Sequence, residues 1–181
     1  MVSPRIHDDT LGEALAAHGV PVFADPPLQA TPRANLEEVL LACLNSGRSR
    51  YRMAVIPLLL VSPEENASTA ILNVAEKLGA AERRWLRWLA LAATYLASRY
   101  KSELTMLLGH FPKVPLAPFH YENLPGPEVD FGEAGLTALS EEIAREKGEV
   151  IDWKGSLDAA VRDLLAALWT QRRGRAPTPH A

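Results

Sequence analysis

Apolar residues recur three and four positions apart along most of this 181-residue chain. That spacing puts them on one face of a helix and leaves the chain little choice but to stack helices. Leu36, Val39, Leu40, Cys43 and Leu44 form one such stripe, and Tyr51, Val55, Leu58 and Leu59 a second. Ala67, Ala70, Ile71, Val74, Ala75 and Leu78 form a third. Later stripes run through Leu136, Leu139 and Ile143, and through Leu157, Val161, Leu164, Leu165 and Leu168. Residues 80–108 make the longest candidate helix, and between Trp85 and Ala97 it is apolar nearly all round, as a helix covered on most sides must be. A short helix after Asp8 or Asp9, using Leu11, Ala14, Leu15 and Ala17 and stopped by Gly19, completes the set. The expected fold is an all-α array of about six or seven helices.

The breaks between stripes are also readable. Asn45-Ser46-Gly47 separates the first two long helices. Pro57 lies inside the second and cannot donate to the carbonyl of Met53, which predicts a kink there. Ser62-Pro63-Glu64-Glu65 has the form of a capping box with proline in the first helical position. Two stretches, residues 20–32 and 111–127, carry most of the prolines and are expected to be irregular. A small two-stranded β element stays open as an addition, with Val20 to Phe23, Val129 to Phe131 and Glu149 to Trp153 as the extended segments. The expected organisation is one helical domain over residues 1–171, comprising a helical core at 33–108, a proline-rich loop at 109–132 and C-terminal helices at 133–171. A disordered tail at 172–181 follows.

Charge and composition narrow the functional classes. The net charge is -3, and a protein that coats nucleic acid non-specifically is usually more basic than this. The single cysteine, Cys43, lies on an apolar stripe; it can form no disulfide within the chain and reads as a core residue. The first residues lack the apolar core of a signal peptide, and the apolar stretch at 85–97 is shorter than the ~20 residues a bilayer-spanning helix needs. The expected location is cytoplasmic, with no membrane partner.

No glycine-rich phosphate loop, Gly-x-Ser-x-Gly or His-Glu-x-x-His motif occurs. The five histidines, His7, His18, His110, His120 and His180, show no helical metal-ligand spacing. No catalytic residue, metal site or cofactor is therefore expected. The residues suited to recognition are arginines and a proline-rich segment. Arg48, Arg50 and Arg52 straddle a helix start, and Arg83, Arg84 and Arg87 open the long helix. Their planar guanidinium forks suit carboxylate or phosphate. Pro112, Pro115 and Pro118 repeat every third position, which favours polyproline II, and Phe119 and Tyr121 follow. These eleven residues are the candidate partner-binding set; as an alternative, the arginine stems cover apolar surface and the prolines form a strap across the protein's own helices.

Residues 35–60 resemble a HEAT-type helical hairpin: an apolar helix, a short polar break, then arginines and alanine opening a second helix. The same stretch is similar to small helical companion proteins of minimal nucleotidyltransferases in prokaryotic toxin–antitoxin-like pairs. The positions that match are Leu40 to Leu44, the Ser46-Gly47 break, Arg48, and Pro57 to Leu60. The similarity reaches no further than Leu108. The Gly-Ser and paired-aspartate signature of the transferase is absent, so the resemblance implies the companion and not the enzyme. The leading expectation is thus a non-catalytic helical adaptor or antitoxin-like subunit that binds and regulates a partner protein. A second reading is a nucleic-acid-binding regulator using the two arginine clusters. A helical ribonuclease or other hydrolase drawing on His110, His120, Glu122 and Arg99 ranks last.

Overall fold

A computed structural model describes Ile6 and residues 8–23, 34–116, 119 and 123–174. Within them the fold is all-α, and no strand occurs among the described residues. The helices are α1 (Asp8–Ala17), α2 (Leu36–Asn45), α3 (Ser49–Met53), α4 (Val55–Val61), α5 (Glu64–Lys77), α6 (Ala80–Arg99), α7 (Lys101–Leu108), α8 (Glu133–Lys147) and α9 (Trp153–Gly174). Short 3-10 turns occupy Pro21–Phe23 and Val129–Gly132. Because α3 runs into α4 and α6 into α7, the nine segments amount to seven rods.

The central rod is α6. Leu86, Trp88 to Ala93 and Tyr95 to Ala97 are all buried, and α2, α4, α8 and α9 pack around them. The all-round apolar stretch thus has the position its composition requires. Around this axis α5 lays Ala67, Ala70, Ile71 and Val74 against α2, while α9 packs on α4, α7 and α8. One buried cluster receives residues from α1 (Leu11 and Leu15) through α9 (Leu157, Val161 and Leu164). No helix among the described residues is long and apolar enough to cross a membrane.

Several local expectations are corrected. The interruption expected at Pro57 falls at Ala54, between α3 and α4. Pro57 thereby sits in the first turn of α4, where an amide would have no intrahelical acceptor to meet. The long helix expected at 80–108 breaks at Tyr100 (φ -103, ψ 28), whose hydroxyl donates to Asp158 on α9 at 2.8 Å. The capping box expected at Ser62 is not formed: the Ser62 hydroxyl donates to the Leu58 carbonyl instead, at 2.7 Å. A full capping box stands at Asn35, whose side chain accepts from the Glu38 amide while Glu38 accepts from the Asn35 amide. The last helix starts at Trp153, at the end of a segment expected to be extended, and continues to Gly174, into the tail expected from residue 172. Residues 24–32 of the first proline-rich stretch, and 175–181 of the expected tail, lie outside the described residues.

Candidate functional site

The second arginine cluster converges with Phe119 on one groove. The first turns of α6 carry Arg83, Arg84 and Arg87 to the wall of a depression of about 710 Å³ between α5, α6 and α8. Leu72, Ala75, Ala80 and the buried Phe119 supply its apolar surface, and Glu76, Glu142 and Glu146 its acids. The three arginines are held differently. Arg83 closes the carbonyl end of α5, donating to Ala75 O at 2.9 Å and Leu78 O at 3.4 Å. Arg84 pairs with Glu146 at 2.8 Å, and both side chains remain about half exposed. Arg87 pairs with Glu142 at 2.5 Å, and the indole N–H of Trp88 donates to the same carboxylate oxygen at 2.8 Å. Burial pushes the Glu142 carboxyl up, but these two hydrogen bonds and the charges of Arg87 and Arg145 outweigh it and hold it below its ordinary value. The groove therefore offers both signs of charge above an apolar floor.

The first arginine cluster disperses, and none of its members lines this groove. Arg48 pairs with Asp8 at the start of α1, at 3.4 Å. Arg50 lies over the Tyr51 ring and edges a small apolar hollow formed with Met53, Pro57, Ala159 and Ala160. Arg52 donates to Ser46 O and places its guanidinium 5.0 Å from the Trp85 ring centroid. Lys147 approaches the same ring at 4.9 Å, and Trp88 and Trp153 meet it edge-on. Cation–π attraction at such distances ties α3 and the end of α8 to α6.

The proline-rich segment lies along the helices. Pro112 is buried, Pro115 half-buried, and Val114 and Leu116 pack on the core. Lys113 pairs with Glu64 at the start of α5, at 3.7 Å. Phe119 is only 8% exposed. Pro118, His120, Tyr121 and Glu122 lie outside the described residues. His110 is exposed.

Two features escaped the sequence reading. The first is a polar network that joins α6, α8 and α9 with Tyr100 at the α6–α7 junction. Arg99 bridges Glu133 and Asp158, Lys154 also reaches Glu133, and Asp158 receives Arg162 at 2.9 Å. Asp158 is buried with the Tyr100 hydroxyl on it, and burial followed by that hydrogen bond pushes the Tyr100 phenol up. Arg99 and Tyr100 lie more than fifty positions from Asp158, so no local pattern announces these pairs. The second is a left-handed turn. Asp130 (φ 49), Phe131 (φ 52) and Gly132 (φ 82) follow one another on the positive side, and Phe131 is 76% exposed. Asp and Gly tolerate that region and could have signalled it; phenylalanine does not. Comparison with protein-family models gives no match, nor do comparisons with curated proteins and with solved structures.

Proposed function

We propose that this chain is a non-catalytic helical subunit that binds and regulates a partner protein, with the groove between α5, α6 and α8 as a binding surface. The observation that carries the reading is the convergence of Arg83, Arg84, Arg87 and Phe119 there beside Leu72, a large apolar side chain left 45% exposed. An apolar floor with charged walls is the anatomy of a protein interface, where buried contacts give affinity and rim charges give orientation. Two of the groove's ion pairs are preformed, so a partner need not desolvate isolated charges to settle on it. The similarity of residues 35–60 to companions of minimal nucleotidyltransferases makes such an enzyme the first partner to test.

The nucleic-acid reading has no comparable support. Phosphate contacts draw on uncompensated cations, and three of the six cluster arginines, Arg48, Arg84 and Arg87, are already paired with carboxylates. The reading is tested by native capture of the tagged full chain from its own host. The wild type is expected to retain a stoichiometric partner, and the double variant Leu72→Asp, Arg84→Glu to lose at least about tenfold of it. A wild-type chain that elutes alone at its monomer mass would sink the proposal.

A further inference from the structure

The turn Val129–Gly132 displays an aromatic ring that folding does not require. Phe131 contributes almost nothing to the core at 76% exposure, yet it holds φ 52, ψ 39 next to Asp130 at φ 49, ψ 43. In this region the Cβ of an L residue crowds the following carbonyl, and bulky residues are rarely found there. The surroundings enforce the shape. A Cβ on Gly132 would overlap the Tyr95 carbonyl, so the chain must pass α6 at a glycine with φ 82. The Tyr95 hydroxyl donates to Pro125 O at 2.8 Å, and the Ser98 hydroxyl to Pro127 O at 2.7 Å, which fixes the approach. The Glu133 amide closes the turn on the Asp130 carbonyl. Strain that the scaffold maintains around an exposed side chain points to a use for that side chain.

The neighbours say what kind of use. Val129 is 45% exposed, and Glu128 and Asp130, both exposed, make no ion pair among the described residues. The exposed ring thus follows Asp130 directly and Glu128 by three positions, two acids without an ion pair among the described residues. We infer that this turn is a preformed docking knob whose Phe131 ring enters an apolar cleft rimmed by Lys or Arg on a partner protein. The inference rests on the reading that the chain binds a protein, but it assigns a different surface. A rigid aromatic anchor loses little freedom on binding, and the acids steer it toward a basic rim. In the groove of a second copy, Arg84 and Arg87 are already paired with Glu146 and Glu142.

The test places the photo-crosslinking residue p-benzoylphenylalanine at position 131 of the full chain, in its own host. The expected adduct is with one other protein, mapped to apolar residues beside Lys or Arg. Phe131→Gly, run in parallel, is expected to lower capture of that same protein at least about tenfold while its melting temperature stays level or rises. Adducts with a second copy or with lipid, no adduct at all, or unchanged capture by Phe131→Gly would each overturn the knob. Capture that survives Phe131→Gly but is lost with Leu72→Asp, Arg84→Glu leaves the groove reading standing alone. If the wild type captures nothing, both fall.

Discussion

Tyr95 governs backbone geometry some forty positions along the chain. It is fully buried on α6, its ring lies where Gly135 of α8 has no side chain, and its carbonyl lies where Gly132 has none. A methyl at position 135 would overlap the ring, which is fully buried and tied to Pro125 O by its hydroxyl. Gly135→Ala is therefore expected to destabilise the protein by about 1–3 kcal/mol, the range for overpacking a filled core. Gly132→Ala should be worse, since the obstacle is backbone and φ is 82. Urea midpoints of the two variants check the order; Gly132→Ala matching wild type would refute the close approach. Glu142 gives a second residue-scale expectation. Its folded pKa lies below the ordinary 4.5, so its contribution to stability is complete above that value and is lost as pH falls through the depressed one. Glu142→Gln should be less stable than wild type near neutrality, because Arg87 loses its counter-charge, and its stability should fall less between pH 5 and pH 2. Parallel acid titrations of stability in the two proteins would fail the idea.

At the scale of elements, the competing helix starts can be told apart. Asn35 satisfies an amide at the start of α2 that otherwise lacks a partner, and its loss to Ala should lower stability by about 1 kcal/mol. Ser62→Ala removes only a hydroxyl donating to a carbonyl that the Ser62 amide already serves, so it should change stability by roughly 0.5 kcal/mol or less. Thermal melts in which Ser62→Ala is the more damaging would reverse the assignment. The contrast shows what was legible. Which residues are helical, and which face is buried, followed from the three-and-four spacing of Leu, Val and Ala. Breaks marked by glycine, such as those at Gly19 and Asn45-Ser46-Gly47, followed as well, but those at Ala54 and Tyr100 did not. The α6–α7 break at Tyr100 has neither Gly nor Pro to announce it, and the bond holding it comes from Asp158. Ser62-Pro63-Glu64-Glu65 has the right letters for a box, but the preceding turn of α4 captures the hydroxyl first.

The whole molecule sets which parts of the candidate surface are in reach. Sequence reading singled out arginines by type, but only packing divides them into a groove set and a scattered set. It named Phe119, but not that this ring is buried at the groove of Arg83, Arg84 and Arg87. It placed Phe131 at the end of an extended segment and missed its display in a left-handed turn, since exposure is a property of the finished fold. The same assembly decides the chemistry of Cys43, which is fully enclosed in α2 and whose thiol is pushed up to about 12 by burial, with Asp8 adding to the shift. Thiolate is the reactive form, so labelling requires opening. At neutral pH a small disulfide reagent should react with the native chain at least ~10³-fold slower than with the urea-unfolded chain, as a stability of about 5 kcal/mol implies. How the rate responds to denaturant then reports which opening matters. Asp8 accepts from the Ser46 hydroxyl at 2.9 Å and pairs with Arg48, tying the start of α1 to the end of α2. If α1 can lift by itself, Asp8→Ala should speed labelling by a larger factor than its effect on the urea midpoint predicts. If the seven rods open only together, the two changes should agree, and rapid labelling of the wild type under native conditions would mean that the core around α2 is not closed.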